Sequence, residues 1–264
     1  GAAFVTRTQN RLAIRSWVRT LRAGLPSLSA WLPFSCALCE QRSEQALCQA
    51  CRARYLPAAT RRCRQCALAL AAGAAAHQRC GACLADRPPF DATLAACDYG
   101  APLDRLLLEL KFCGRLALAP WMAGALARSA EAALAADGWS LPDLLCPVPL
   151  GPRRLAARGF NQALEIARPL ARELGLALDA RLTVRRRETA AQAQLPAAAR
   201  ARNTGGAFVL APHALQTVRG LHVGVVDDVM TTGHTLADMA AMLKRFGAAR
   251  VSNFVFARTA APQY

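Results

Sequence analysis

Two adjacent carboxylates, three threonine hydroxyls and a glycine crowd into residues 227 to 235, directly after an apolar run, in the stretch LHVGVVDDVMTTGHTLADMA. Asp227 and Asp228 together can accept hydrogen bonds from the paired hydroxyls of a ribose. Thr231, Thr232 and Thr235 offer hydroxyl donors to an anion, and Gly233 permits the backbone to come close. Where such a turn opens a helix, its backbone N–H groups complete a phosphate cradle. The order of groups therefore fits a ribose 5-phosphate. The apolar run must be a strand that brings the acids to the carboxyl edge of a parallel sheet, where open α/β folds bind ligands. The Gly-Lys-Ser/Thr ending of a nucleoside-triphosphate loop is missing, and so are the glycines of a G-x-G-x-x-G fingerprint. The plainer alternative is a strand, turn and helix in which Asp228 merely caps the turn; the coincidence of two acids, three threonines and a glycine at one junction argues against it.

A second kind of chemistry precedes it. Eight of the eleven cysteines form four C-x2-C pairs, Cys36/Cys39, Cys48/Cys51, Cys63/Cys66 and Cys80/Cys83. Each half of this run supplies four thiolates, the soft tetrahedral set that Zn²⁺ prefers, and a C-x2-C turn presents two sulfurs to one ion. Two sequential four-cysteine sites are the simplest assignment; an interleaved pairing stays open on spacing alone. An iron–sulfur cluster lacks its ferredoxin spacing here, and a lone redox pair would not need three companions. A closed four-thiolate site has no open position for substrate, so this segment is expected to position and not to catalyse. His77 lies within the second half as a bystander, and metal removal is expected to unfold this part while sparing the α/β domain after it. Cys97, Cys113 and Cys146 sit in apolar surroundings and read as core thiols in a reducing cytoplasm.

From about residue 93 apolar runs of strand length alternate with longer helical patterns, the rhythm of an α/β domain. We expect a strand near 93–99, a helix from Pro102 to Phe112, a helix from about Leu116 to Ala136 and a strand at 144–149, followed by a basic loop. Asn161 is placed to cap a helix that runs to Leu174 and stops at Gly175. Arg185 to Asn203 has no apolar period and reads as a long arginine-rich loop. After it come the strand LHVGVVDD, the helix TLADMAAMLKRFG closed by Gly247, and the strand ARVSNFVFAR.

Formal net charge is +16, almost all of it arginine, with lysine only at 111 and 244. Eight thiolates and two Zn²⁺ ions would lower the figure to about +12, still strongly basic. That balance favours polyanionic partners, nucleic acid or phosphorylated substrates, without choosing between them. Residues 1–34 carry five arginines and no acid; we read a short basic helix beside the cysteine region in preference to a targeting peptide or membrane-surface helix. No apolar stretch is long enough to span a bilayer. The expected organisation is a basic extension over 1–34, a double zinc ribbon over 35–90, and an α/β domain over 91–264. The expected location is the cytoplasm, at most peripheral to the inner membrane.

The motif VVDDVMTTGHT resembles the diphosphate-sugar binding motif of type I phosphoribosyltransferases. The four C-x2-C pairs, PFDATLAACDYGAPLDRLLLELKFCGR, PVPLGPRRLAARGFNQALEIARPLA and ARARNTGGAF extend the likeness to the ComF family, including its GntX-like members, over about residues 34–258. The resemblance implies a type I phosphoribosyltransferase-like parallel sheet with helices on both faces, plus a small N-terminal zinc-ribbon domain. It implies ribose binding by Asp227 and Asp228, and 5-phosphate binding by Met230, Thr231, Thr232, Gly233, His234 and Thr235. Arg153, Arg154, Arg158 and Asn161 follow a strand where such enzymes hold diphosphate, and bidentate arginine suits phosphate oxygens. Lys111 either reaches the diphosphate too or only meets the dipole of the helix it ends. Arg185 to Asn203 takes the position of a flexible lid. Mg²⁺ would accompany the diphosphate. No base-specific hood or general base is recognisable, so no catalytic residue is assigned. The implied ligand is phosphoribosyl diphosphate or a related nucleotide, and the implied setting is natural competence, with single-stranded DNA and a DNA translocase as partners. Two other readings stand beside it: a non-enzymatic zinc-ribbon adaptor for single-stranded DNA or protein, and a nucleotide-salvage transferase.

Overall fold

A computed structural model describes residues 34–56, 61–71, 79–135, 139–185 and 207–260. The N-terminal basic extension, His77 and most of the arginine-rich loop lie outside the described residues. Contacts divide the chain into two compact units, one up to Cys48 and one from Gln49 onward. The first contains the antiparallel strands β1 (Phe34–Ser35) and β2 (Arg42–Ser43), joined by a tight turn in which Glu40 takes a positive φ of 62°.

The second unit begins with the short helices α1 (Gln49–Tyr55) and α2 (Gly81–Ala85). It then builds a five-stranded, all-parallel sheet from β3 (Ala92–Asp98), β4 (Leu144–Pro147), β5 (Ala177–Leu178), β8 (His222–Met230) and β9 (Arg250–Arg258). The spatial order is β3-β9-β8-β4-β5. The crossovers are α3 (Leu103–Phe112), α4 (Leu118–Ala135), α5 (Pro152–Arg158), α6 (Gln162–Leu174) and α8 (His234–Arg245). A separate antiparallel pair, β6 (Thr183–Arg185) with β7 (Phe208–Leu210), and the one-turn α7 (Ala214–Thr217) precede β8.

Strand β8 is central because its sequence can be buried on both faces, and the alternation of β9 shows what covers each. Phe254 and Phe256 point to one side, packing edge-on against Trp139 and Trp121 at centroid distances of 6.1 and 5.5 Å. Val251 and Val255 point to the other and join Met239 and Leu243 of α8 in the core. Helices therefore cover both faces. At Gly224 in β8 an added Cβ would meet Leu145 Cδ2 at 2.5 Å and Pro142 Cγ at 2.8 Å, so the strand's neighbours come closer than any side chain there would allow.

The predicted helices and strands of this unit are present, and Asn161 and Gly175 cap α6 as expected. One prediction changes. The basic stretch after β4 is helical over Pro152–Arg158: Pro152 opens it with a preset φ and no N–H to waste, strong helix formers follow, and Gly159 closes it in the left-handed region at φ 79°. Cys113 also departs from its expected core role. It caps the C-terminus of α3 and faces solvent, whereas Cys97 and Cys146 are buried.

Candidate functional site

Strand β8 carries Asp227 and Asp228 to the carboxyl edge of the sheet, between β9 and β4. Successive residues point to opposite faces, so the two acids differ in surroundings. Asp227 is partly exposed, and its Oδ1 accepts the Asp228 N–H at 2.9 Å. Burial first, and the neighbouring Asp228 charge second, push the Asp227 carboxyl above the ordinary range. Asp228 is only 7% exposed and is held by Lys111, whose Nζ lies 2.8 Å from Oδ2. The lysine thus sets a positive charge against one member of the acid pair.

The turn beyond places hydroxyl-bearing side chains at the start of a helix. Thr231, Thr232 and His234 are exposed and Thr235 is half-buried, with Thr232 Oγ1 and His234 Nδ1 3.2 Å apart. Gly233 is the N-cap of α8 at φ 86°. Having no side chain, it leaves the first N–H groups of a twelve-residue helix without the hydroxyl or carboxylate cap they would otherwise have. Those N–H groups and the positive helix end suit a phosphate. Met230 is different from its companions: its side chain is buried in the core, so it contributes backbone alone.

The basic candidates fall in two places. Lys111 is in the last turn of α3, a helix-ending cation, and its ammonium is paired with Asp228, a contact the sequence did not suggest. Next to it Phe112, 71% exposed, is covered by Arg158, whose guanidinium carbon lies 5.4 Å from the ring centroid. That contact brings the end of α5 to the end of α3. Arg153 and Arg154 of α5 are solvent-exposed. Asn161 is largely committed to structure: Oδ1 accepts Ala163 N–H and Nδ2 donates to Val148 O, each at 3.0 Å.

The cysteines group sequentially. Cys36, Cys39, Cys48 and Cys51 form one cluster and Cys63, Cys66, Cys80 and Cys83 another, with the sulfurs of each within 4.8 Å of one another. A tetrahedron with Zn–S bonds of about 2.3 Å has sulfurs about 3.8 Å apart; Cys39–Cys48 and Cys66–Cys80 stand at 3.7 and 3.6 Å. Both knuckles donate N–H to sulfur, Cys48 to Cys36 and Cys80 to Cys63, at 3.4 and 3.3 Å. Although burial works to raise it, the Cys48 N–H and the N–H groups of Cys39 and Leu38 draw the Cys36 thiol down to about 6. Cys63 is drawn down chiefly by its hydrogen bond with Cys66, whose own thiol is pushed up by the same bond. Such partly ionised thiol sets fit Zn²⁺.

The second quartet is part of the sheet's own core. Its four cysteines pack in one apolar cluster with Phe90, Val255 and Met239. Its knuckle is stitched to the edge strand: Thr93 N–H donates to Arg64 O at 3.0 Å, Thr93 Oγ1 to Gln65 O at 2.7 Å, and buried Gln65 Nε2 to Phe90 O. Arg258, absent from the sequence-based candidates, meets both centres. It ends β9 and is 8% exposed. Its Nε donates to Cys66 O at 2.9 Å, while Nη1 donates to Met230 O at 3.1 Å and to Thr231 O. The available signal was a single arginine closing an apolar strand, at the sheet edge where ligands bind.

An all-parallel sheet with an acid pair and a Gly/Thr turn at the carboxyl end of its central strand defines a phosphoribosyltransferase-type domain. Residues 161–264 match the family model "Phosphoribosyl transferase domain". The "DNA utilization protein YhgH" of Salmonella typhimurium is 39% identical over 233 residues, 86% of this chain and 98% of that protein. "Competence protein F" of Haemophilus influenzae is 31% identical over 181 residues, 69% of this chain and 79% of that one. The chain belongs to the ComF family of phosphoribosyltransferase-domain proteins. The solved glutamine phosphoribosylpyrophosphate amidotransferase of B. subtilis is 18% identical, covering 52% of this chain and 26% of its own with a TM-score of 0.36. No helix among the described residues is long and apolar enough to cross a membrane.

Proposed function

We propose that this protein binds phosphoribosyl diphosphate, or a nucleotide with the same ribose 5-phosphate, at the turn after β8. The carrying observation is the geometry at Gly233: a left-handed, side-chain-free N-cap that leaves the start of α8 open, directly after two carboxylates on the sheet edge. The 5-phosphate lies against Thr231 to Thr235, and the ribose hydroxyls donate to Asp227 and to Asp228, the latter once Lys111 yields. The diphosphate extends toward Arg153, Arg154 and Arg158, and a Mg²⁺ ion bound with it would offset negative charge next to Asp227 and Asp228.

If the bound ligand reacts, the C1–oxygen bond to diphosphate breaks, diphosphate leaves with the electron pair, and an acceptor base bonds C1, while a nearby carboxylate stabilises the positive charge developing there without a protein nucleophile. The names of the relatives, a DNA utilization protein and a competence protein, support a competence-linked setting, and the formal net charge of +16 supports a polyanion such as single-stranded DNA as a partner.

Calorimetric titration of the zinc-loaded protein with phosphoribosyl diphosphate, with and without Mg²⁺, tests the reading. Saturable binding strengthened by Mg²⁺ and lost in Asp228→Ala is expected. No heat of binding in either condition removes it. Oligonucleotide binding that survives Asp228→Ala, with no response to phosphoribosyl diphosphate, would favour the adaptor reading instead.

A further inference from the structure

Arg258 is a buried guanidinium whose contacts, unusually for a buried cation, run to carbonyl oxygens and a hydroxyl: Cys66 O, Met230 O, Thr231 O, Thr259 O and Thr259 Oγ1. The planar fork of arginine can hold several acceptors in fixed relative positions, which a lysine cannot. What it holds together is a metal knuckle on one side and the first two peptides of the phosphate turn on the other.

A trans peptide keeps its carbonyl and N–H on opposite sides. With the carbonyls of Met230 and Thr231 drawn onto Arg258, the N–H groups of Thr231 and Thr232 are sent the other way, toward the exposed threonine side of the turn. Neighbouring contacts brace this arrangement: Thr259 N–H also donates to Met230 O at 3.1 Å, and Tyr99 N–H donates to Arg258 O at 2.8 Å. At the far end, the Cys66 carbonyl belongs to the Cys63-x2-Cys66 knuckle, whose shape is set by its sulfurs converging on one point.

We infer that Arg258 is a positioning residue through which the second cysteine quartet orients the phosphate turn, so that anion binding at the turn depends on metal at that quartet. The inference rests on the reading of the turn as a phosphate site. When the quartet holds zinc the Cys66 carbonyl is fixed, the guanidinium is fixed by it, and the two turn peptides keep their N–H groups aimed at the ligand. When zinc leaves, the knuckle relaxes and the arginine no longer has a rigid anchor.

The test compares full-length wild type with Arg258→Lys, with Cys80→Ser, with both together, and with Cys39→Ser as a control on the other quartet. Zinc content, amide hydrogen exchange and binding of phosphoribosyl diphosphate are measured for each. Arg258→Lys with zinc retained, and Cys80→Ser with one zinc lost, are each expected to speed exchange at residues 231–233 and to weaken binding about tenfold, the effect of losing one or two such hydrogen bonds. Combining them should add little, since both break one chain of contacts, while Cys39→Ser leaves the turn unchanged. Exchange in α6 serves as the reference for global loosening. Unchanged exchange at the turn in Arg258→Lys overturns the inference, and so does acceleration shared equally by α6, or full additivity of the two changes. If Cys80→Ser does not fold, Arg258→Lys alone decides by the same exchange readout. If wild type does not bind phosphoribosyl diphosphate the proposed function falls, while exchange still decides the coupling.

Discussion

Lys111 Nζ sits 2.8 Å from Asp228 Oδ2, a cation from the end of α3 seated on the second carboxylate of the β8 pair. Without it the buried Asp228 carboxylate would stand beside the Asp227 charge with no cation against it. Lys111→Met should therefore leave Asp228 poorly compensated. An exposed pair is worth about 0–1 kcal/mol and breaking a fully buried one costs about 3–5; with side chains 25% and 11% exposed, a loss of about 2 kcal/mol is expected. Urea unfolding measures it, and a change no larger than the exposed-pair range would show the contact to be incidental.

Metal stoichiometry should be two zinc ions per chain, read by native mass spectrometry. Cysteine spacing alone suggests that metal removal spares the sheet, but the second quartet lies in the sheet's core and changes that expectation. Cys63 is fully buried, whereas Cys39 is exposed. Cys63→Ser is thus predicted to lower the unfolding temperature of the sheet domain by several degrees more than Cys39→Ser. Equal shifts in calorimetry would contradict it.

Gly233→Ala places a side chain at φ 86°, where an L residue pays about 1–2 kcal/mol. The added Cβ also meets Met230 Cε at 2.6 Å, though the flexible methionine end can move aside. Relaxation of the turn out of the left-handed region would rotate the N–H groups at the start of α8 that the proposed phosphate site uses. The variant is expected to stay folded, to unfold at lower urea, and to bind phosphoribosyl diphosphate at least about tenfold more weakly. Unaltered affinity would show that the turn's conformation is not what binds.

His222 supplies a pH dependence of stability. Buried at the start of β8, with Nε2 2.8 Å from Ser252 Oγ, it is pushed down to about 4 by burial and then by Arg250. Asp143 and Asp91 pull in the opposite direction without reversing the shift. The folded protein keeps the ring neutral while the unfolded chain protonates near 6.5, so stability is full above that pH and falls as the pH drops toward 4. The slope is at most about 1.4 kcal/mol per pH unit, giving a loss of up to about 3 kcal/mol. In His222→Gln that slope should vanish. Urea midpoints for both proteins at pH 7 and pH 5 provide the check, and parallel losses would assign the acid sensitivity elsewhere.

Much of the α/β unit was legible because its signals are local. The strand-length apolar run in ARVSNFVFAR, the apolar run before Asp227, and the Asn161 and Gly175 caps of α6 each follow from neighbours within a few residues. The same holds for the four cysteine pairs, where a C-x2-C turn brings its own two sulfurs together, while their sequential grouping into two quartets needed the tertiary structure. The α5 helix was missed because a seven-residue, arginine-rich segment has almost no apolar face to betray it.

The residue types and spacing therefore determined the acid pair, the Gly/Thr turn, the metal-binding pairs and the order of strands and helices along the chain. Tertiary structure decided which distant groups meet: Lys111 on Asp228, Arg158 over Phe112, and Arg258 between Cys66 and Thr231. It also decided that the second quartet shares the sheet's core. The difference is physical. Turns, caps and periodicity are fixed by interactions a few residues apart, whereas these pairings depend on strand order and on how the crossovers fold back, and no local pattern encodes a contact spanning 192 residues.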